Sequence, residues 1–76
     1  MSQMNAQVTT ALKGYMLDHG IAQADIARHL GRSESYVSAR LNGKHDVSVD
    51  ILGAVADVTR ISPRALWVEL SERMAR

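Results

Sequence analysis

Residues 23–43 read QADIARHLGRSESYVSARLNG, and the order of apolar, glycine and hydroxyl residues in this stretch decides the fold. Ile26, Ala27 and Leu30 fall at i, i+1 and i+4, which is one apolar face of a helix. Val37 and Leu41 repeat the four-residue spacing on a second segment. Between them stands Gly31, which adopts φ > 0 without steric cost and lets a helix stop and the chain turn. Ser33 is a strong N-cap for the second segment. The spacing predicts one helix over about 23–30 and another from 34 to about 41, joined by a tight turn. Such a pair is the helix-turn-helix, whose second helix enters the major groove of DNA.

On a wheel of 100° per residue, Val37 and Leu41 define the inward direction of the second helix. Ser35 and Ala39 then point outward, flanked by Tyr36, Ser38 and Asn42. Serine donates to or accepts from either kind of base edge, and alanine suits a thymine methyl. Glu34 either accepts from a cytosine amino group or complements the helix N-terminus. Arg40 falls at the edge of the core, where its stem lies on apolar surface while its guanidinium reaches out. It contacts DNA or pairs with a body carboxylate such as Asp50.

Working outward, Gly20 closes a first helix over about 6–19, which Asn5 caps. Val8, Leu12, Tyr15, Met16 and His19 form its inward stripe, and residues 1–5 are expected to be flexible. Gly14 in mid-helix costs about 1 kcal/mol against alanine, which a close helix crossing would explain. After a loop over 44–47, Ser48 caps a fourth helix over about 49–59 with Leu52, Val55 and Ala56 inward. Ser62-Pro63 opens a fifth, with Ile61 and Leu66 placed as a hydrophobic staple. Leu66, Trp67, Leu70 and Met74 share one side of it, and Val68 points off that stripe. The expectation is an all-α protein, with residues 1–76 as one compact five-helix domain and the motif at about 22–43.

Gln23, Ile26-Ala27, Leu30-Gly31, Ser33, Val37-Ser38 and Leu41-Asn42-Gly43 resemble the lambda repressor and Cro (XRE-type) family of helix-turn-helix regulators. The resemblance runs from about residue 8 to residue 70. It implies base reading by the first, second, fifth and sixth positions of the recognition helix, here Glu34, Ser35, Ser38 and Ala39; the helix wheel adds Tyr36 and Arg40 beside them as further candidate base contacts. It implies backbone contacts from Gln23 at the start of the second helix and from Asn42, Lys44 and His45 beyond the recognition helix; Arg32 and Ser33 in the turn are further candidate backbone contacts. Pairing through the fifth helix, where such proteins often dimerise, would use Trp67, Val68, Leu70 and Met74. The sequence departs from the family at Ala22, usually threonine or serine, at Thr59, usually leucine, and at Arg40, usually apolar.

Composition narrows the function classes. With 76 residues the chain buries only about 60–65% of its unfolded surface on folding, so its stability should be marginal. There is no cysteine, and His19, His29 and His45 lack ligand spacing, so no structural metal or disulfide is expected. No paired nucleophile and base and no glycine-rich phosphate loop stands out, so an enzyme is not expected, nor a cofactor or small-molecule ligand. No apolar run approaches about 18 residues and no signal segment opens the chain, so a cytoplasmic protein is expected. Net charge is +1, yet residues 28–45 carry Arg28, Arg32, Arg40 and Lys44 against Glu34, whereas residues 46–72 carry five carboxylates against two arginines. A basic face before an acidic body suits one-way docking on DNA. The expected function is a phage or bacterial repressor bound to a double-stranded operator; the rival is a protein-interaction module such as an antitoxin or adaptor.

Overall fold

The computed structural model describes residues 3–75. Among these, five helices succeed one another: α1 (Gln3–Asp18), α2 (Gln23–Leu30), α3 (Glu34–Leu41), α4 (Val49–Thr59) and α5 (Pro63–Met74). α2 packs on α3 and α4, α1 packs on α3 and α5, and α4 closes against α5. The Cα radius of gyration, 11.3 Å, equals the roughly 11 Å expected of a compact chain of this length. Leu12, Tyr15, Ile26, Val37, Leu41, Ile51, Val55, Leu66 and Leu70 are almost wholly buried, so every helix contributes to one apolar cluster. The all-α fold class is as the sequence indicates.

Local signals set most of the boundaries. Gly31 takes φ +67°, and Arg32 N–H returns to Ala27 O at 3.0 Å, closing α2 with a left-handed cap. Ser33 Oγ then accepts from Tyr36 N–H at 3.1 Å and opens α3. Ser62 Oγ does the same for Ala65 N–H at 3.0 Å, with Pro63 at the first helical position of α5. Ala22 has no side chain to cap α2, but Asp25 Oδ2 accepts from Ala22 N–H at 2.9 Å, half of a capping box.

The structure corrects the first helix. α1 begins at Gln3, so residues 3–5, expected to be flexible, are helical, while Met1 and Ser2 lie outside the described residues. Asn5 is not its cap. It is buried inside the helix, where Oδ1 accepts from Val47 N–H at 2.8 Å and pins the loop before α4 to α1. His19 leaves the inward stripe and is exposed, its ring centroid 4.1 Å from that of Tyr15. At Gly14 a Cβ would lie 3.4 Å from Arg73 Nη1, so what approaches the glycine from α5 is the tip of a side chain and not the helix backbone.

Two further helices differ in detail. Ser48 stands at the cap position of α4 but makes no capping bond, because its hydroxyl donates to Asp50 Oδ1. Ile51 and Ala54 join Val55 and Ala56 in the core, and Leu52 is only half-buried. Thr59 turns its hydroxyl onto Val55 O at 2.7 Å and Ala56 O at 3.2 Å. On α5, Leu66 and Leu70 face the core, and Trp67 turns outward with 46% of its surface exposed.

Candidate nucleic-acid interface

α3 is held by its buried face. Val37 and Leu41 anchor it, which fixes the opposite face outward as the wheel requires. Eight helical residues span about 12 Å, close to the width of a major groove. Glu34, Ser35, Ser38 and Ala39 line an open depression together with Gln23 from the start of α2 and Lys44 from beyond α3. The six side chains therefore meet on one surface, brought together by the Gly31 turn at one end of α3 and by the loop beyond it at the other.

The far end of α3 is shaped by Asn42 and Gly43. Gly43 takes φ +81°, and Lys44 N–H donates to Ala39 O at 2.9 Å. That cap bends the chain back, so Lys44 and His45 remain exposed beside the outward face. Arg32 and Ser33 are exposed at the other end. The side chains expected to meet a sugar-phosphate backbone thus flank the depression from both sides.

Tyr36 and Arg40 sit differently from the other expected base readers. Tyr36 is half-buried and its hydroxyl donates to Asp50 Oδ2 at 2.9 Å, tying α3 to α4. Arg40 lies with its guanidinium carbon 4.6 Å from the Tyr36 ring centroid, and that of Arg32 lies 4.9 Å from it. Arg40 Nη1 donates to Asp46 O at 2.9 Å rather than forming the ion pair with Asp50 that the sequence left open. Both side chains are engaged with the body: they position α3 and the loop after it. The guanidinium of an arginine at a usually apolar position is accommodated by the Tyr36 ring below it and a loop carbonyl at its tip.

Asp50 is the anchor of this cluster. Hydrogen bonds from Ser48, from Tyr36 and from Ile51 N–H, with the nearby Arg40 charge, outweigh its partial burial and hold its carboxyl below the usual aspartate range. A lowered native value means that the stabilising contribution is complete above the unfolded-state pKa and is lost as pH falls through the native one. Asp50→Asn should therefore melt below the wild type at pH 6, and the gap should close as pH falls below about 4. Thermal melts of the two proteins from pH 7 to pH 3 check this; a gap that is constant across the range contradicts the account.

Lys13 joins this surface without any signal in the sequence. It comes from α1, and its Nζ donates to Asn42 Oδ1 at 3.3 Å, which adds a cation at the edge of the α3 surface. It also shares a shallow depression with Gln23, beside the recognition surface. Its spacing from the motif carries no local signal, because only the packing of α1 on α3 brings it there. Among the described residues, no cluster of three or more His, Asp or Glu side chains could hold a metal ion, and no helix is long and apolar enough to cross a membrane.

A glycine-turned helix pair whose second helix is buried on one side and polar on the other defines a DNA-binding helix-turn-helix protein. The family described as Helix-turn-helix matches residues 12–66, and the chain belongs to it, as a protein of lambda repressor and XRE type. This family binds double-stranded DNA and is not typically enzymatic. No curated protein and no solved structure matches the chain significantly.

Proposed function

We propose that the protein is a small transcriptional repressor of phage or bacterial type, which acts in the cytoplasm by occupying an operator and excluding polymerase. The observation that carries this reading is the shared surface of Gln23, Glu34, Ser35, Ser38, Ala39 and Lys44 on an exposed helix of groove-fitting length. Ser35, Ser38 and Ala39 read base edges, with Glu34 at the helix start facing a cytosine amino group. Gln23, Arg32, Ser33, Lys44 and His45 meet the backbone and set the register. The whole of residues 1–76 serves as one DNA-binding unit without chemistry of its own. Transcription in vitro from a promoter carrying the bound site tests the output: a transcript that falls as protein is added supports repression, and one that holds or rises overturns it.

One helix-turn-helix covers only a few base pairs, and its interface must compete with a large excess of non-specific sites. Pairing of two copies through α5 supplies the missing contacts and places two recognition helices about 34 Å apart on an inverted repeat. Trp67 and Val68, at 46% and 49% exposure, form the seam, next to an apolar groove lined by Val49, Leu52, Gly53 and Pro63. Met74, half-buried, lies farther along α5, whereas Leu70 is fully buried and so backs the seam from within the core rather than joining it. Trp67→Ala is expected to leave the fold intact and to weaken operator binding about tenfold or more by loosening the pair. Sedimentation with operator DNA checks it: two proteins per symmetric site is the expected stoichiometry, and one protein on an asymmetric site rules the pairing out.

A further inference from the structure

A chain of directional hydrogen bonds runs from α1 into the middle of the recognition helix. Lys13 Nζ donates to Asn42 Oδ1 at 3.3 Å, and Asn42 Nδ2 donates to Ser38 Oγ at 2.8 Å. An ammonium has protons to give and no lone pair, so it takes the amide oxygen and turns the amide nitrogen toward Ser38. The amide nitrogen likewise can only give, so Ser38 Oγ must accept. The serine proton is left over. Thr9 and Thr59 hand theirs to the carbonyl four residues back, at 2.7 Å each, whereas among the described residues no acceptor takes that of Ser38.

We propose that Asn42 is a positioning residue for specificity, which presents Ser38 to the groove as a hydrogen-bond donor. The base edge facing Ser38 then carries an acceptor and no competing amino group: O6 and N7 of guanine, or O4 of thymine. A serine without such a partner is indifferent, since its hydroxyl serves equally as donor or acceptor. Here one lone pair is already filled. Accepting from Asn42 also polarises the O–H bond, which strengthens it as a donor and weakens the remaining lone pair. A base amino group opposite Ser38 would meet that weakened lone pair and leave the serine proton without a partner in the closed interface. Lys13 sets the direction of the whole chain, because it alone decides which end of the amide faces Ser38. This assignment rests on α3 being the groove helix.

The test is selection of binding sites from random duplexes at one salt concentration with the wild type, Ser38→Ala, Asn42→Asp and Lys13→Met. Asn42, Lys13 and Ser38 lie outside the core, and thermal melts establish that each variant is folded. The wild type is expected to favour guanine or thymine at one position by about three- to tenfold, the range of a single neutral hydrogen bond. Ser38→Ala flattens that position and no other. Asn42→Asp puts a carboxylate where the amide nitrogen was, takes the serine proton and leaves Ser38 able only to accept. Its preference at that same position moves to cytosine or to the amino group of adenine, on top of a loss of affinity shared by all sequences. Lys13→Met frees the amide to turn over and flattens the position toward the Ser38→Ala profile. An Asn42→Asp protein that is weaker on every sequence, with the preference at that position intact, overturns the proposal and leaves Asn42 a backbone contact. A wild type that enriches no sequence overturns the groove reading itself, and the proposal with it.

Discussion

Leu41→Ala lowers the unfolding free energy by about 2–5 kcal/mol, the cost of emptying a fully enclosed leucine site. Leu41 is 1% exposed, at the last turn of α3, in the cluster that Leu12, Ile26 and Val37 also form. A chain of 76 residues holds a total of about 4–11 kcal/mol at the usual 0.05–0.15 per residue, so the loss is a large share of what there is. The effect reaches function as well as stability, because Leu41 and Val37 are what hold the outward face of α3 at its angle. Urea unfolding measures the first and duplex binding the second. A change under about 1 kcal/mol would show that α3 is not anchored through this residue.

Gly31→Val should cost more than about 1 kcal/mol and weaken DNA binding through the turn alone. A Cβ at Gly31 would meet nothing within 4 Å, so crowding is not the cause; the backbone is, at φ +67°. A β-branched residue is strained in that left-handed conformation, whereas asparagine visits it more readily. Gly31→Asn should therefore lose clearly less than Gly31→Val. Equal losses in urea unfolding for the two variants would place the cost in packing rather than in the dihedral.

What was legible in the sequence was local. The end of α2 and the start of α3 come from Gly31 and Ser33 and the apolar spacing around them, the start of α4 falls after Ser48, and that of α5 comes from Ser62-Pro63, because caps and turns act within a few residues. The outward face of α3 came from two buried positions and helical period. What stayed hidden joins distant residues. Asn5 looks like a cap until Val47, forty-two positions on, takes its side-chain oxygen. The bond from the Tyr36 hydroxyl to Asp50, fourteen positions on, and the turn of Arg40 to the carbonyl of Asp46 are contacts that no spacing rule points to. The end of α4 shows another limit. Arg60 takes φ +60° there without being glycine, and Ile61 N–H returns to Ala56 O at 3.0 Å, so the same cap as at Gly31 forms without its usual marker. For the interface, the residues on α3 and its flanks could be read from the chain, and the lysine from α1 could not.

The central claim, that the α3 surface reads double-stranded DNA, is tested most directly by the salt dependence of binding to a site selected from random duplexes. Each phosphate neutralised by a lysine or arginine adds about 0.9 to the slope of log affinity against log salt. The account predicts a steep negative slope for the wild type and a slope shallower by about one unit for Lys44→Ala, with the order of preferred sequences unchanged. Duplex binding that is absent, or indifferent to salt and to the loss of Lys44, would contradict it.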